Sequence, residues 1–547
     1  MKKEKRRQKD WIGWAVLCVY SIIVIVVMFY HEPWYDEAEA WLIARDTTLY
    51  NLLLVRPHFE GHPPLWHLLL RIPAKAGFPY ELSLKTIQFI FAFMMVWLIE
   101  FRSPFNRLVR TLLPFTFFFI YQYGVIARPY ALFTCALFWM ADLWKKKDAC
   151  PWKMVLAMLL LCLTSAYGLA LAGGIAICWV MEIWQHDRSL IQNRRRFAAH
   201  IFLLICALLL MIDIWPSHQA LALEGNTIAK VAAFPGHLFL FWFFLPSETI
   251  LTAFSEYALL QLQQITPAEI ADAAFISAII WMLLIVLCYH RKMLRLLFIP
   301  YVCISMVGAG MYFCTHHYGL LLMFFVFICW IAQEKEPISI KEYGTVVPKW
   351  CKKGFPEQDQ QRFIRLMGVI LIGMTVGINM FWSISACAAD IGNDYSSSHK
   401  LISMIRQKDL TRYTWLCLWK ESQDADSGVF CMDTNLGDEM NVLVNPYLKK
   451  SLAYNTKTTY ITHQQASAAE NNANILAWKK HAAPDFILYG NTKYFDRMRK
   501  QLGITDTYVQ MNIGKTRKVW KADVHYYTEF IWVKKSIYYA LFDNKKR

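Results

Sequence analysis

The chain has 547 residues, of which 56% are hydrophobic and 16% aromatic, and its mean hydropathy is +0.28. A water-soluble protein of this length does not carry so many apolar side chains, so the composition excludes the soluble class and predicts a protein that crosses a membrane several times. The formal net charge of +16 does not indicate nucleic acid as a partner, because the basic residues gather in alternate short loops.

The distribution of charge along the chain predicts its topology. The first ten residues, MKKEKRRQKD, hold six Lys or Arg, and further basic clusters separate the apolar runs as far as residue 365. The segments that alternate with these clusters hold six Lys or Arg against eleven Asp or Glu. Since basic loops stay in the cytoplasm, we predict a cytoplasmic N-terminus, an external C-terminus and eleven spans. These lie near 11–30, 80–101, 107–121, 130–144, 152–165, 169–184, 197–215, 273–290, 295–313, 318–332 and 363–383.

The first apolar run is followed at once by an acidic segment, HEPWYDEAEAWLIARD. No small residues suited to signal cleavage follow the run, so a retained signal anchor fits better than a cleaved signal peptide. The spacing of apolar residues from Asp36 to Asp46 predicts an amphipathic helix at the membrane interface, with its carboxylates facing water. Any single acid here is expected to serve solubility. Asp36 and Glu37, however, lie about one helical turn beyond the span, where a catalytic group reaches a lipid headgroup.

A second candidate segment in the same loop is FEGHPPLWHLLLRIPAKAG, residues 59–77. Its apolar part is too short to cross a bilayer with ordinary flanks, so we predict a helix in the plane of the membrane. The double proline suits the first turn of that helix and places His62 at its N-terminus, a favourable position for a phosphate. Glu60 and His67 are further candidates. A kinked interfacial loop with a solvated histidine explains the segment better when it is taken alone.

Two later turns carry basic side chains on the predicted outer face. Arg128, in YGVIARPYALF, precedes a proline where one span ends and the next begins. A lone arginine at an interface usually extends to headgroup phosphates, and the same preference suits a polyprenyl phosphate. His316 and His317 form the pair in CTHHYG. Adjacent histidines point to different sides of a turn, which favours a hydrogen bond to a phosphate or carboxylate over a shared metal ion.

The composition changes after Asp390, where hydrophobic runs shorten and Asn, Asp, Lys and Ser become frequent. We predict an all-α polytopic membrane domain at 1–383 and a small α/β domain outside the membrane at 384–547. SSSHKLISMIRQKDL and NTKYFDRMRKQLG read as helices, the second ending at a glycine, whereas TRYTWLCLW, SGVFCMDT, DFILYG and KVWKADVHYY read as short strands. Cys417 and Cys431 form either a disulfide or two thiols, and the sequence does not decide between them.

The outer loops thus offer carboxylates in one segment and cations in others, and we predict that these groups meet in one cavity. A sugar on a lipid phosphate has a stable anionic leaving group, so its displacement does not need the acid that glycoside hydrolysis requires. It needs a base that takes the proton of the acceptor hydroxyl and positive groups that hold the departing phosphate. A carboxylate cluster with scattered Arg and His side chains suits this reaction.

At these residues the chain resembles the GT-C glycosyltransferases, integral-membrane enzymes that include the protein O-mannosyltransferases and the aminoarabinose transferases of lipid A. The features are the acidic pair in YDEA, the acid before the prolines in EGHPPLWHLLL, the ARPYAL turn and HHYG before a late span. They cover roughly residues 10–332. The resemblance implies a GT-C-like membrane domain with interfacial helices in the first external loop.

The resemblance also implies roles for individual residues. Asp36 is the expected catalytic carboxylate, with Glu37 as its neighbour. Some relatives use a divalent metal ion in the first loop, and the acids here, Asp36, Glu37 and Glu60, permit one without demanding it. The side chains expected at the phosphate or lipid of the donor are His62, Arg128, His316 and His317.

We therefore predict an inverting glycosyltransferase that moves a sugar from a polyprenyl-phosphate-linked donor to a protein, lipid or polysaccharide acceptor on the outer face of a bacterial cell membrane. The alternative is a polytopic transporter or flippase for a lipid-linked or envelope substrate, which predicts ionisable residues at mid-membrane depth. Lys85, Asp142, Glu182 and Asp213 instead lie close to the ends of apolar runs. A scaffold whose outer domain binds a partner is a third interpretation, but eleven spans exceed what an anchor needs.

Overall fold

The computed structural model describes residues 10–187, 193–217, 227–251, 267–311, 313, 315–337, 357–417, 437–456, 458–460, 483–488, 495, 499, 503–520 and 523–543. The structure is mostly helical (74%) and includes a small mixed sheet. The chain divides into two compact units. The first unit comprises 1–26, 88–214 and 226–387, and the second unit comprises 27–87, 215–225 and 388–547.

Among the described residues, seven helices are long and apolar enough to cross a membrane. They indicate a membrane protein, as the composition predicts, whereas the number of eleven spans stays a prediction. The seven helices occupy Trp11–Tyr30, Tyr80–Phe101, Ala166–Gln185, Arg194–Asp213, Ile270–His290, Thr315–Lys335 and Gly373–Gly392. Shorter apolar helices occupy Pro151–Cys162, Ala232–Phe243 and Leu294–Gly310.

The α-helices are numbered here in chain order. The first ten are α1 Trp11–Tyr30, α2 Tyr35–Asp46, α3 Leu49–Leu54, α4 Pro57–Glu60, α5 Leu65–Ala76, α6 Tyr80–Phe101, α7 Arg107–Leu112, α8 Tyr130–Leu143, α9 Pro151–Cys162 and α10 Ala166–Asp187. The others are α11 Arg194–Asp213, α12 Thr227–Phe243, α13 Leu245–Leu251, α14 Pro267–His290, α15 Leu294–Gly310, α16 Tyr318–Lys335, α17 Glu357–Gly392, α18 Ser398–Gln407, α19 Gly437–Val444 and α20 Lys535–Leu541.

The segment predicted as a span at 107–121 is not a continuous helix. After α7 the chain forms a 3-10 turn at Leu113–Phe115, and a π-helical turn follows at Phe118–Gln122. Pro114 has no N–H group to donate, which favours a break at this point. The residues of the π-helical turn are buried, and irregular backbone at membrane depth is tolerated where protein surrounds it.

In the first unit, α10 packs closely against α15. A Cβ atom added at Gly174 would lie 2.5 Å from the Cα atom of Pro300, whereas one added at Gly173 would meet nothing within 4 Å. Glycine at position 174 therefore sets the distance between the two helices. Small residues play this part where membrane helices approach each other.

In the second unit, the segment after α1 folds into four short helices, α2 to α5. The prediction of a helix from Asp36 to Asp46 is confirmed by α2, which begins one residue earlier. Helix α5 packs against α2, and Arg71 on α5 donates to the carbonyl oxygens of Ala44 and Thr47 at 2.9 and 3.0 Å. These bonds satisfy carbonyl groups at the C-terminal end of α2, which have no partners within that helix.

The second unit also contains a four-stranded sheet. Its strands are β1 Trp415–Cys417, β2 Phe486–Leu488, β3 Tyr508–Trp520 and β4 Asp523–Lys534, in the order β1-β2-β4-β3. Strands β1 and β2 are parallel, and the other pairs are antiparallel. The mixed sheet with flanking helices fits the predicted small α/β domain.

Alternating side chains of this sheet cover both of its faces. Trp415 and Phe486 stack at 4.3 Å between ring centroids in a cluster with α18 and α19. Leu416, Ile487 and Phe495 belong to a cluster with Trp532 on the opposite face. Because both faces are buried, the strands are apolar at consecutive positions, as in WLC and FIL.

The outcome differs among four elements that were predicted for the C-terminal part. KVWKADVHYY was expected to be one strand, but it contains the end of β3 and the start of β4. SGVFCMDT, which includes Cys431, lies outside the described residues, and so does most of NTKYFDRMRKQLG. The helix expected in SSSHKLISMIRQKDL is confirmed by α18.

Candidate functional site

The first candidate site begins where α1 ends. His31 follows α1 directly, and its backbone N–H still donates to the carbonyl oxygen of Val27 at 2.8 Å. Its Nδ1 atom lies 2.8 Å from a carboxylate oxygen of Asp390, and its Nε2 atom lies 3.0 Å from one of Glu37. All three side chains are buried.

The charge state of His31 follows from these neighbours. Burial alone would lower its pKa, because it disfavours the charged imidazolium. The carboxylates of Asp390 and Glu37 outweigh burial and raise the pKa of His31 to about 10. His31 is therefore an imidazolium that donates one hydrogen bond to each carboxylate.

Glu37 holds the first turn of α2 in place. Its carboxylate accepts the backbone N–H of Trp34 at 2.7 Å, and Trp34 is the extended residue immediately before the helix. A carboxylate in this position satisfies a backbone donor that has no partner within the helix, and it also complements the helix dipole. Glu37 thus links the helix start to His31.

The prediction that the carboxylates of the helix from Asp36 to Asp46 face water is wrong for two of them. Glu37 and Glu39 are at most 2% exposed. Helix α2 is also buried from Glu37 to Ala44, so it is not the interfacial amphipathic helix that the spacing predicted. The cause is the burial of the loop within the fold, with α5 packed against α2, and short-range periodicity does not reveal it.

Asp36 differs from these neighbouring acids because its side chain is only partly buried. It lies in the first turn of α2. The pKa of Tyr395 is raised mainly by burial of its hydroxyl group. The negative charges of Glu439 and Asp36 raise it further, so Asp36 lies near Tyr395. The ring of Tyr395 also stacks on Trp34 at 5.9 Å between centroids.

Glu32 is the hydrogen-bond acceptor at the centre of a second group of polar side chains. Its carboxylate accepts the backbone N–H of Ser396 at 2.7 Å, the hydroxyl of Ser396 at 2.6 Å and the hydroxyl of Ser398 at 2.5 Å. Burial raises the pKa of Glu32, against the opposing effects of His399 and the two serines. The bonds hold the start of the first loop against the start of α18.

His399, on α18, extends this group to α6. Its Nε2 atom lies 2.9 Å from Oε1 of Glu81 and 2.9 Å from the hydroxyl of Tyr447. Tyr447 also donates to Glu81 at 2.7 Å, and Lys85 donates to the other oxygen of Glu81 at 2.6 Å. The hydrogen bond with Glu81 is the main cause that raises the pKa of His399.

The remaining first-loop candidates lie along α4 and α5. Glu60 forms an ion pair of 3.0 Å with Arg56, whose guanidinium lies 5.3 Å from the ring centroid of Tyr460. His62 is partly buried in the turn before α5. His67 is buried on α5. The helix expected to start at the double proline is α5, which begins at Leu65 directly after Pro64. His62 precedes the first residue of α5 by three positions, and Glu60 is the last residue of α4.

The turns that carry the predicted cations of the later segments are neighbours in the first unit. His316 and His317 form the end of a 3-10 turn before α16, and their rings lie 4.2 Å apart. The ring of Tyr130 lies 5.9 Å from His316 and 5.7 Å from His317. Tyr130 is the first residue of α8, two positions after Arg128. The ARPY turn and the histidine pair are therefore neighbours.

His317 lies among aromatic rings. Tyr167 is 4.8 Å from it and Phe313 is 5.4 Å from it, between ring centroids, and its side chain is only 2% exposed. Tyr123 donates to the carbonyl oxygen of His316 at 3.1 Å. Aromatic packing thus fixes the histidine pair near the turn that carries Arg128.

The predicted site residues belong to different units. Asp36, Glu37, Glu60, His62 and His67 lie in the second unit, whereas the other three candidates lie in the first unit. The prediction that they share one cavity stays a prediction. The candidates of the first unit are Arg128, His316 and His317.

No protein-family profile, no curated protein sequence and no solved structure matches the chain.

Sequence reasoning missed several members of the two buried groups. Asp390 and Ser396 lie more than 350 positions from the first-loop residues that they contact, and His399 lies 318 positions from Glu81 on α6. Local periodicity carries no signal over such a distance. The clue available was compositional: NDYSSSHK places an acid, three serines and a histidine directly after the last apolar run.

The structure also bears on which residues suit a metal ion. Glu37 and Glu60, two of the three acids that the resemblance permits as ligands, already engage His31 and Arg56. Such basic partners compete with a metal ion for these carboxylates. Among the described residues, Glu32, Asp394 and His399 place one ligand atom each within 4.8 Å of the others.

Proposed function

We propose that the chain is a membrane glycosyltransferase that moves a sugar from a polyprenyl-phosphate donor to an acceptor hydroxyl, with Asp36 as the base. The observation that carries this proposal is the contrast between Asp36 and the acids around it. Glu32 and Glu37 are buried and committed to hydrogen bonds, whereas Asp36 is partly exposed on the same short segment. Asp36 is therefore the acid of this group that a substrate can reach.

The surrounding contacts support a positioned base. The turn that carries Asp36 is fixed by Glu37, which binds both the backbone before the helix and His31. His31 is fixed in turn by Asp390. A general base is effective only when its carboxylate is held within hydrogen-bond reach of the proton that it removes. The buried network supplies that rigidity to the turn that carries Asp36.

The proposed reaction is a single displacement. The carboxylate of Asp36 accepts the proton of the acceptor hydroxyl while the acceptor oxygen forms a bond to the anomeric carbon of the sugar. The bond from that carbon to the phosphate oxygen breaks, and polyprenyl phosphate leaves with the electron pair. Attack from the face opposite the leaving group inverts the anomeric configuration. The leaving group is anionic and stable, so no acid has to protonate it.

Positive or hydrogen-bonding groups are needed at the leaving phosphate. We assign this part to Arg128, His316 and His317, with His62 as a further candidate. The support is chemical: guanidinium binds phosphate with two parallel hydrogen bonds, and the adjacent histidine rings are held by Tyr130, two positions from Arg128. The proposed partners are a lipid-linked sugar, an envelope acceptor and the surrounding membrane lipids, with the reaction on the outer face of a bacterial cell membrane.

The test compares Asp36→Asn with the wild type in purified, reconstituted protein. Lipids that copurify with the protein are identified by mass spectrometry. A short-chain polyprenyl-phosphate sugar of the class found there is then supplied as donor, and envelope extract is supplied as acceptor. We expect Asp36→Asn to lower sugar transfer by about a hundredfold to ten-thousandfold, the usual contribution of a general base. Donor binding should change little, because the substitution keeps the size of a partly exposed side chain.

Asp409→Asn is the matched control. Asp409 is an exposed residue with positive φ, a conformation that asparagine also tolerates. It should transfer sugar at the wild-type rate. Full transfer by Asp36→Asn would exclude Asp36 as the base, and movement of the intact lipid-linked sugar across the bilayer without bond cleavage would favour the alternative, a flippase.

A further inference from the structure

A group of ligating side chains in the second unit is not used by the proposed transfer. We propose that Glu32, Asp394 and His399 bind a divalent first-row metal ion that ties the start of the first loop to the segment after α17. The proposal does not rest on glycosyl transfer. It concerns residues that the sequence did not assign to a metal site.

The geometry suits an ion of this class. One ligand atom from each of the three side chains lies within 4.8 Å of the others. Ligand atoms that bind one ion at about 2.1 Å in tetrahedral geometry lie about 3.4 Å apart, so rotamer changes that shorten the separations by about 1 Å bring all three atoms to bonding distance. Two carboxylates and one imidazole form a mixed oxygen and nitrogen set. Such a set favours Mn²⁺ or Zn²⁺ over Ca²⁺, which takes oxygen ligands alone.

The hydrogen bonds of His399 orient its ring as a metal ligand requires. Its Nε2 atom is 2.9 Å from Glu81, which leaves Nδ1 as the atom for the ion. Metal-binding histidines usually donate their other N–H to a carboxylate, which fixes the tautomer and the ring orientation. Glu81 is itself held by Tyr447 and Lys85. The carboxylate behind the histidine is therefore in place and does not belong to the three-ligand group.

The electrostatics of Glu32 also favour a cation. Its side chain is 2% exposed, and the donors that it accepts are neutral groups of Ser396 and Ser398. A buried carboxylate is costly unless a positive charge lies close to it. A metal ion next to Glu32 and Asp394 supplies that charge.

Two groups compete with the ion. Lys400 lies 3.3 Å from Asp394, and both side chains are about half exposed. A protonated His399 would also place a positive charge near Glu32, and it must lose that proton to bind a metal. The competition with Lys400 provides a test in the opposite direction, because removal of this lysine should strengthen binding.

The experiment uses the full chain, purified in detergent, stripped with EDTA and titrated with Mn²⁺ alone. Mn²⁺ is preferred to Zn²⁺ as a probe because the chain has 14 cysteines, and thiolates select Zn²⁺. Bound ion is measured by electron paramagnetic resonance, and Tm is measured with and without the ion. We expect one bound Mn²⁺ per chain and a rise in Tm.

The variants locate the ion. Asp394→Asn should weaken binding at least tenfold, whereas the matched Asp409→Asn should bind as the wild type does. Glu81→Gln should weaken binding about tenfold to a hundredfold, the usual cost of losing such a supporting carboxylate. Lys400→Ala should bind several-fold more tightly. Asp36→Asn should bind Mn²⁺ as tightly as the wild type. This result would distinguish the site from a metal ion bound by Asp36, Glu37 and Glu60.

Several results would overturn the proposal. They are no Mn²⁺ bound above the level of nonspecific sites, equal binding by Asp394→Asn and the wild type, weaker binding by Lys400→Ala, and loss of binding in Asp36→Asn. Folding of each variant is checked by its elution volume in size-exclusion chromatography and by its Tm in EDTA. Misfolding of a variant is then not mistaken for the loss of a metal-binding side chain. Failure here would leave the proposed transferase untouched, since no sugar transfer is measured.

Discussion

At the scale of single residues, the buried imidazolium of His31 is the most consequential feature of the second unit. It lies between two carboxylates, those of Asp390 and Glu37, at 2.8 and 3.0 Å. Removal of one member of a buried charge network leaves the other charges buried without a partner. The resulting loss of folding free energy is far larger than the net stabilisation that the intact network provides. The position of the first turn of α2, and hence of Asp36, depends on this residue.

His31→Ala should therefore destabilise the protein by about 3 to 5 kcal/mol, the typical cost of breaking a buried ion pair from one side. The measurement is Tm in detergent with EDTA present, so that metal binding does not contribute. His58→Ala is the control, because the side chain of His58 forms an exposed hydrogen bond to the carbonyl oxygen of Trp215. Equal Tm values for the two variants would show that the His31 network does not stabilise the fold.

At the scale of elements, the sequence predicts the features that depend on residues close together in the chain. It does not predict contacts between distant segments. Helices such as α1 and α6 follow from runs of apolar residues, and α18 follows from a local 3.6-residue period. The burial of α2 could not be predicted, because it depends on α5. The partners of Glu32 and His31 could not be predicted either, because Ser396 and Asp390 lie far away in the sequence. The periodicity of a single sequence carries no information about such distant contacts.

The close packing of α10 on α15 gives a second prediction at this scale. Gly174→Ala should destabilise the protein by about 1 to 3 kcal/mol, the usual cost of overpacking, because its Cβ would lie 2.5 Å from the Cα atom of Pro300. Gly173→Ala, one residue away on the same helix, meets nothing within 4 Å. It should leave Tm unchanged or raise it slightly, since alanine favours helix. Tm values measured side by side decide the matter, and a larger loss in Gly173→Ala would contradict the packing argument.

At the scale of the whole molecule, the basic clusters predict the side of the membrane on which each end of the chain lies. Alkaline phosphatase fused after Asp543 should be active in a bacterial host, because this enzyme folds only outside the cytoplasm. The same enzyme fused after Lys335, the last residue of α16, should be inactive. The reverse pattern would place the first loop and Asp36 in the cytoplasm and would exclude transfer on the outer face.

The most direct measurement of the proposed function is the fate of a polyprenyl-phosphate sugar in proteoliposomes that contain the purified chain and an acceptor. The sugar carries one label and the lipid another, so that bond cleavage and transport are separated. We predict that glycosylated acceptor and free polyprenyl phosphate appear in equal amounts and that Asp36→Asn forms both about a hundredfold to ten-thousandfold more slowly. The contradicting result is a labelled lipid that reaches the opposite leaflet with its sugar still attached, at the same rate in the wild type and in Asp36→Asn.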